Sequence, residues 1–189
     1  MSRSDLTEAT QSAFGSKTKG RILLASLDLF NRNGFDRVTT AHLADASDVL
    51  EGTLWYHFKA KKDLPLAHLD VLEARLETHQ EQAYDTSRGG MVDRFMEAFD
   101  LLWDFRYLMR DPIAAIKEDD EGKVRLKQIY QDVENRIRSR LLEAEQIGVL
   151  DLSGVNPQSL AVSCFLTGRY WPEYATIRFG NALDAAGFR

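Results

Sequence analysis

Apolar residues recur at intervals of three and four along most of the chain, which is the spacing of one face of an α-helix. A long stripe in the second half consists of Leu126, Tyr130, Val133, Ile137, Leu141 and Ala144. Nowhere does the sequence show the alternating, β-branched pattern that is typical of a strand. The chain is therefore predicted to be all-α, and its 189 residues are enough to bury a core without disulfides or a structural metal.

Capping residues divide the chain into three predicted regions. Residues 1–16 are polar and lack a periodic apolar face, so they are predicted to form a flexible N-terminal arm. Residues 17–62 hold one helix that stops at Gly34 and two short helices, the first of which begins with Thr39 as its N-cap. Residues 63–189 carry the longer helical patterns and are predicted to form a second domain.

The charge of the chain is unevenly distributed. The formal net charge of -5 argues at first against a nucleic-acid partner. However, residues 1–62 have a balance of +2, whereas residues 63–189 have a balance of -7. A mildly basic N-terminal region on an acidic body is compatible with DNA binding by the N-terminal region alone.

Other classes of protein find little support in the sequence. The single cysteine, Cys164, excludes an internal disulfide framework and fits a reducing compartment. No apolar run approaches the ~20 residues that span a bilayer, and the N-terminus lacks a signal-peptide core, so we expect a cytoplasmic protein. The four histidines do not have metal-ligand spacing, and there is no glycine-rich phosphate loop or nucleophile elbow. We therefore expect no catalysis, no cofactor and no metal.

The two short helices predicted between residues 40 and 57 point to DNA. They are joined by a tight turn and preceded by a helix that can brace them, an arrangement typical of a helix-turn-helix. The outer face of the second helix carries hydrogen-bonding side chains, and its Gly52 lets a backbone come close to a phosphate.

Residues 18–64 resemble the N-terminal domain of the tetracycline-repressor (TetR) family of bacterial transcription regulators. At the positions of the family's first-helix pattern this sequence has Ile22-Leu23, Ser26, Leu29-Phe30 and Gly34-Phe35. At the positions of its helix-turn-helix pattern and lysine-rich link it has Thr39, Leu43-Ala44, Gly52-Thr53-Leu54-Trp55-Tyr56-His57-Phe58, Lys59 and Lys61. The spacing from Thr39 to Phe58 matches without a gap.

Three positions depart from the family's usual pattern. Asp48 stands in the turn where the family usually has glycine in a left-handed conformation, which aspartate tolerates better than most residues. Leu50 replaces a serine that caps the recognition helix, so a phosphate contact is either lost or replaced by an apolar contact such as one with a thymine methyl. Trp55 replaces the usual tyrosine.

The resemblance implies roles for individual residues of the N-terminal region. The candidates for base contacts are Glu51, Thr53 and Tyr56. The candidates for phosphate contacts are Thr40, Gly52, Trp55, His57 and Lys61. Alternatives stay open for three of them: Trp55 is otherwise a packing residue, His57 otherwise caps or solvates the helix end, and Glu51 either accepts from a cytosine or only solvates the helix.

For the body, the resemblance implies a homodimer through the last two long helices and a small-molecule effector that releases the protein from a palindromic operator. The aromatic candidates for the effector site are Phe99, Trp103, Tyr107, Tyr130, Phe165 and Trp171. The class of ligand is open; an apolar or aromatic molecule with an acidic group is one guess. The alternative is a helical dimeric interaction protein whose degenerate N-terminal region does not bind DNA specifically.

Overall fold

The structure is a computed structural model that describes residues 6–83, 85, 87–110, 112, 116 and 119–179, without the side chains of 88, 172, 173, 175, 176 and 179. Within these residues it contains helices and no strand, which confirms the all-α prediction. The helices are α1 (Glu8–Phe14), α2 (Thr18–Asn33), α3 (Thr40–Ser47), α4 (Glu51–His57), α5 (Asp63–Glu81), α6 (Arg88–Asp104), α7 (Arg106–Arg110), α8 (Asp120–Gln146) and α9 (Pro157–Phe179). None of these helices has both the length and the apolar character needed to cross a membrane.

The ends of α2 and α3 follow from local chemistry. α2 stops at Gly34, whose φ of 81° lies in the region that favours glycine and whose N–H donates to the Phe30 carbonyl. Thr39 caps α3, because its hydroxyl accepts from the His42 N–H while its own N–H donates to His42 Nδ1. Both predicted boundaries are confirmed.

The chain packs into two compact units. The first comprises Met1–Glu81 and Asp100–Val124, and the second comprises Gln82–Phe99 and Arg125–Arg189. The first unit extends beyond the predicted domain 17–62, because α5 and α7 both pack against α2. The core of this unit is built from fully buried apolar side chains, among them Ile22, Leu27, Phe30, Leu43, Leu54, Leu69, Leu72, Phe105 and Leu108.

The segment predicted as a flexible arm is instead folded as α1 between residues 8 and 14. Thr7 caps this helix by accepting from the Thr10 N–H, and Leu6, Thr10 and Phe14 are buried. Their spacing of four residues is a helical stripe that the sequence interpretation missed, because one of its three members is polar. Residues 1–5 of the predicted arm lie outside the described residues.

The second unit joins the first part of α6 to α8 and α9. Its buried side chains include Phe99, Leu126, Ile129, Val133, Ala161 and Phe165. Gly168 of α9 faces Phe99, since a Cβ at Gly168 would lie 3.9 Å from the Phe99 ring. The Phe99 ring therefore lies against α9 at Gly168.

Candidate nucleic-acid interface

The turn between α3 and α4 depends on Asp48. This residue has φ 53° and ψ 54°, which is the left-handed conformation, and its N–H donates to the carbonyls of Ala44 and Asp45. Among the described residues it alone has a positive φ without being glycine. Aspartate adopts this conformation at a cost of roughly 1–2 kcal/mol, so the turn keeps the geometry that glycine would give it.

α4 presents a polar face to solvent and an apolar face to the core. Leu54 and Phe58 are buried, whereas Glu51 and Gly52 are exposed and Tyr56 is 79% exposed. The other candidate residues on this helix, Thr53, Trp55 and His57, are partly exposed. The exposed Tyr56 ring meets the edge of the His57 ring at 5.2 Å.

The start of α4 lacks the cap that serine would supply. Leu50 occupies the N-cap position, makes no side-chain capping bond and is 80% exposed. The first turn of α4 therefore offers free backbone N–H groups, a carboxylate at Glu51 and one large apolar contact.

Two lysines near α4 lie against aromatic rings. Lys61 Nζ lies 4.3 Å from the centre of the Phe35 ring, and Lys19 Nζ lies 5.7 Å from that of Phe58. Partial burial lowers the pKa of Lys61, and the Asp36 carboxylate opposes this effect. Contact with the rings holds these ammonium groups in place, and within the described part of the chain no hydrogen bond occupies their donors.

The remaining predicted DNA contact, Thr40, is the first residue of α3 and is partly exposed. All eight candidates therefore lie in the first unit, on α3, α4 or the following link. No described residue is bonded to the polar tip of Tyr56, so its hydroxyl is available to a base or phosphate.

The six predicted effector residues divide between the two units. Trp103 and Tyr107 belong to the first unit, and Phe99, Tyr130, Phe165 and Trp171 belong to the second. Tyr130 and Phe165 have ring centres 5.1 Å apart, and Trp171 contacts Tyr174 at 5.7 Å. Cζ of Arg106 lies 5.1 Å from the centre of the Trp103 ring.

Tyr107 takes part in a buried polar network that sequence reasoning did not predict. Its hydroxyl lies 2.7 Å from Nδ1 of His68, and the other ring nitrogen, Nε2, lies 2.9 Å from the Leu23 carbonyl and 3.1 Å from the Ser26 hydroxyl. Because the carbonyl can only accept, Nε2 carries the proton and Nδ1 accepts from Tyr107. Complete burial lowers the pKa of His68 to about 4, so the ring is neutral.

A second bridge lies beside the first. Asn31 donates from Nδ2 to the Asp104 carbonyl at 2.7 Å and accepts the Tyr107 N–H at 3.1 Å. The two bridges connect α2, which braces the helix-turn-helix, to α5 and to the junction of α6 and α7. No local pattern reveals such bridges, because their partners are 39 to 76 residues apart.

The side chains of the described part of the chain can be compared with the requirements of a metal site and of a reactive thiol. No group of three or more His, Cys, Asp or Glu residues there could hold a metal ion. Cys164 is partly exposed, and burial raises the pKa of its thiol, so the reactive thiolate is disfavoured.

Comparisons with known proteins agree with this geometry. Residues 22–67 match the family model for bacterial regulatory proteins of the tetR family, and residues 70–187 match the TetR model described as a bacterial transcriptional repressor. The HTH-type transcriptional regulator QacR of Staphylococcus aureus is 37% identical over 57 residues, which span 30% of this chain and only 30% of that protein.

Solved structures show the same fold. A TetR-family transcriptional regulator from Marinobacter aquaeolei VT8 superposes with a TM-score of 0.75 at 22% identity, covering 92% of this chain and 86% of the other. A gamma-butyrolactone receptor (ArpA-like protein) superposes with a TM-score of 0.59 at 20% identity, covering 80% and 76%.

Proposed function

The chain belongs to the TetR family of bacterial regulatory proteins, and from this premise we propose that it is a transcriptional repressor released from a palindromic operator by a small molecule. The observation that carries the proposal is the α3–α4 unit. Its turn is intact at Asp48, and its second helix turns a hydrogen-bonding face to solvent. Such a helix is suited to the major groove.

We assign the contacts by position on this unit. Glu51, Thr53 and Tyr56 lie on the helix that would enter the groove and are proposed to contact base edges. Phosphate contacts, through the side chain or the backbone, are proposed for Thr40, Gly52, Trp55, His57 and Lys61. The balance of +2 over residues 1–62 is small, so we expect modest nonspecific affinity and a strong reliance on specific contacts.

One recognition helix covers too few base pairs for a unique site, so the proposal includes a homodimer that reads two half-sites. α9 supports this, because an exposed apolar stripe runs along it. The stripe consists of Leu166, Tyr170, Tyr174 and Ile177, at spacings of four, four and three residues. Covering this stripe with a second copy would remove it from water.

Release by an effector needs a connection between the body and α2. Within the first unit, the His68–Tyr107 and Asn31–Asp104 bridges provide one, because a shift of α5 or α7 would break or move bonds to α2. An effector that favours a different position of these helices would then oppose DNA binding by linkage. The bond of the Tyr107 hydroxyl to His68 makes this residue part of the coupling as well as a candidate wall of the effector site.

The experiment begins with selection of DNA from a random pool by the purified protein. The expected result is a palindrome that is then used in mobility shifts with Tyr56→Ala, Lys61→Ala and the control Lys127→Ala, whose side chain is exposed on α8. We expect Tyr56→Ala to weaken specific binding and Lys61→Ala to weaken binding to all sequences with a smaller salt dependence. Lys127→Ala should bind normally.

Two outcomes would contradict the proposal. Enrichment of no sequence would favour the alternative of a helical dimeric interaction protein with a degenerate N-terminal region. Unchanged affinity in both the Tyr56 and Lys61 variants would refute the site assignment. Since its operator would be chromosomal DNA, we propose the cytoplasm as its location and assign it no catalytic step.

A further inference from the structure

A cluster of aromatic and cationic side chains lies between α8 and α9 in the second unit. The Arg169 guanidinium lies over two rings, with Cζ 5.2 Å from the centre of Tyr130 and 5.2 Å from that of Tyr170. Tyr130 also packs on Phe165, with ring centres 5.1 Å apart and planes at 59°. The guanidinium thus lies against aromatic rings.

Two buried polar atoms of this cluster have no bonding partner within the described residues. They are the Tyr130 hydroxyl oxygen and Nε of Arg169. A buried donor without an acceptor is costly. Across the described residues, Arg169 makes neither an ion pair nor a hydrogen bond. The cluster therefore lacks a group that would satisfy both atoms.

The chemistry of the missing group follows from the two atoms. Arginine only donates, so the buried Nε of Arg169 can be satisfied only by an acceptor. Burial raises the pKa of Tyr130 more strongly than the nearby Arg169 charge lowers it. The phenol thus keeps its proton at neutral pH and also donates. Two donors, one of them cationic, match an acceptor with negative charge.

The surroundings indicate what carries that acceptor. Phe165 and Phe99 are both buried in the second unit, and Gly168, one residue before Arg169, presents no side chain toward Phe99. Apolar walls with a few fixed polar groups are typical of small-molecule sites. A ligand here would pair a small anionic group with an apolar body.

We propose that Arg169 and Tyr130 bind the carboxylate of an apolar small molecule, which is the effector of this regulator. The identity of the molecule as effector rests on the proposed function, whereas its binding to these two residues does not. The new assignment is Arg169, because it adds to the aromatic candidates a charged group that orients the ligand.

The test is titration calorimetry with two series of straight-chain and aryl-substituted carboxylates, from hexanoate to hexadecanoate and from benzoate to hydrocinnamate, each beside its uncharged primary amide. We expect at least one acid to bind the wild type about tenfold more tightly than its amide. Arg169→Gln should abolish this preference while leaving amide binding in place, and Tyr130→Phe should reduce it severalfold. The control Arg178→Gln removes an exposed charge from the same helix and should keep the preference.

The inference is overturned if no acid of either series binds, if acid and amide bind equally, or if Arg169→Gln keeps the preference. Light scattering on each variant checks that the dimer is unchanged, because Tyr170 also lies on the exposed stripe of α9. Mobility shifts with the selected operator separate the two proposals. If an acid binds in a manner that depends on Arg169 but does not release DNA, only the effector role is refuted. If neutral ligands release DNA from Arg169→Gln, only the carboxylate site is refuted.

Discussion

Two residues in the turn before the recognition helix, Asp48 and Leu50, differ in their effect on stability. Asp48 adopts the left-handed conformation and donates its N–H to two carbonyls of α3, so the turn tolerates it. Leu50 leaves the first turn of α4 without a side-chain cap and exposes 80% of its surface. Leu50 therefore stabilises neither its helix nor the core, which leaves its side chain available for a contact with DNA.

Leu50→Ser should separate these two effects. The serine hydroxyl can accept from an N–H in the first turn of α4, so we expect the free energy of unfolding to rise by about 0.5–1 kcal/mol in urea denaturation. Operator affinity should fall at the same time if Leu50 contacts a thymine methyl. Replacing single thymines of the half-site by uracil should weaken the wild type at one position and leave Leu50→Ser unaffected there. Equal sensitivity of both proteins would argue against the methyl contact.

His68 predicts a dependence of stability on pH. Burial lowers its pKa from 6.5 to about 4, so between these values the unfolded chain binds a proton that the folded chain does not. Stability from this residue is therefore complete above pH 6.5 and decreases as the pH falls toward 4. We expect a loss of roughly 2 kcal/mol between about pH 7 and about pH 5.

The measurement is urea denaturation across that range in the wild type and in His68→Gln. The variant should be less stable at neutral pH but should lose much less stability on acidification. Burial raises the pKa of Asp104, which contributes in the opposite direction in both proteins and so cancels in the comparison. Parallel pH profiles of the two proteins would contradict the assignment.

At the scale of elements, α1 is the segment that local pattern describes least well. It is joined to the first unit by Thr7, whose N–H donates to Oδ1 of Asp104 at 3.1 Å and whose hydroxyl donates to Oδ2 at 2.5 Å. Arg75 donates to the Thr10 hydroxyl from α5. α1 also approaches α2 closely at Gly20, where a Cβ would fall on the carbonyl oxygen of Phe14. These contacts make α1 part of the core and not an arm.

Two glycine-to-alanine substitutions should therefore have opposite effects on stability. Gly20→Ala should lower the free energy of unfolding by about 1–3 kcal/mol, because α1 must move away from α2. Gly52→Ala should raise it by up to about 1 kcal/mol, because it lies in an exposed helix and its Cβ would meet nothing within 4 Å among the described residues. Thermal unfolding distinguishes the two.

The two glycine substitutions should rank in the opposite order by their affinity for the operator. Gly52→Ala should weaken binding if its backbone approaches a phosphate, although the protein is more stable. Gly20→Ala should bind normally at temperatures where it stays folded. Full affinity in Gly52→Ala would remove this glycine from the interface.

At the scale of the whole molecule, the proposed dimer depends on α9. Ile177 is 87% exposed at the end of the apolar stripe, where a carboxylate in a dimer interface would be buried without a partner. Ile177→Glu should therefore shift the protein toward monomer in light scattering and weaken operator binding. Val92→Glu is the matched control, because it places the same charge on an exposed apolar position of α6, outside the two helices proposed to form the interface. Monomer formation by the control alone, or by neither, would contradict this interface.

The sequence by itself determined the helical class, the caps at Gly34 and Thr39, and the identity of the helix-turn-helix. These features depend on residues within a few turns of each other, where spacing and backbone preference act directly. It also determined which face of α4 is polar. The positions proposed for DNA are exposed or partly exposed in the structure, and Leu54 and Phe58 are buried as the spacing requires.

The tertiary structure decided what distant residues do together. It placed α1 in the core, gave His68 its neutral state, divided the aromatic candidates between two units and brought Arg169 onto Tyr130. Burial and hydrogen bonding between residues tens of positions apart depend on how helices pack, and helix packing is a property of many side chains at once. The sequence around a histidine or an arginine does not indicate whether its side chain contacts water, an aromatic ring or a hydrogen-bond acceptor. The protonation state of His68 and the ring contact of Arg169 with Tyr130 therefore follow only from the folded chain.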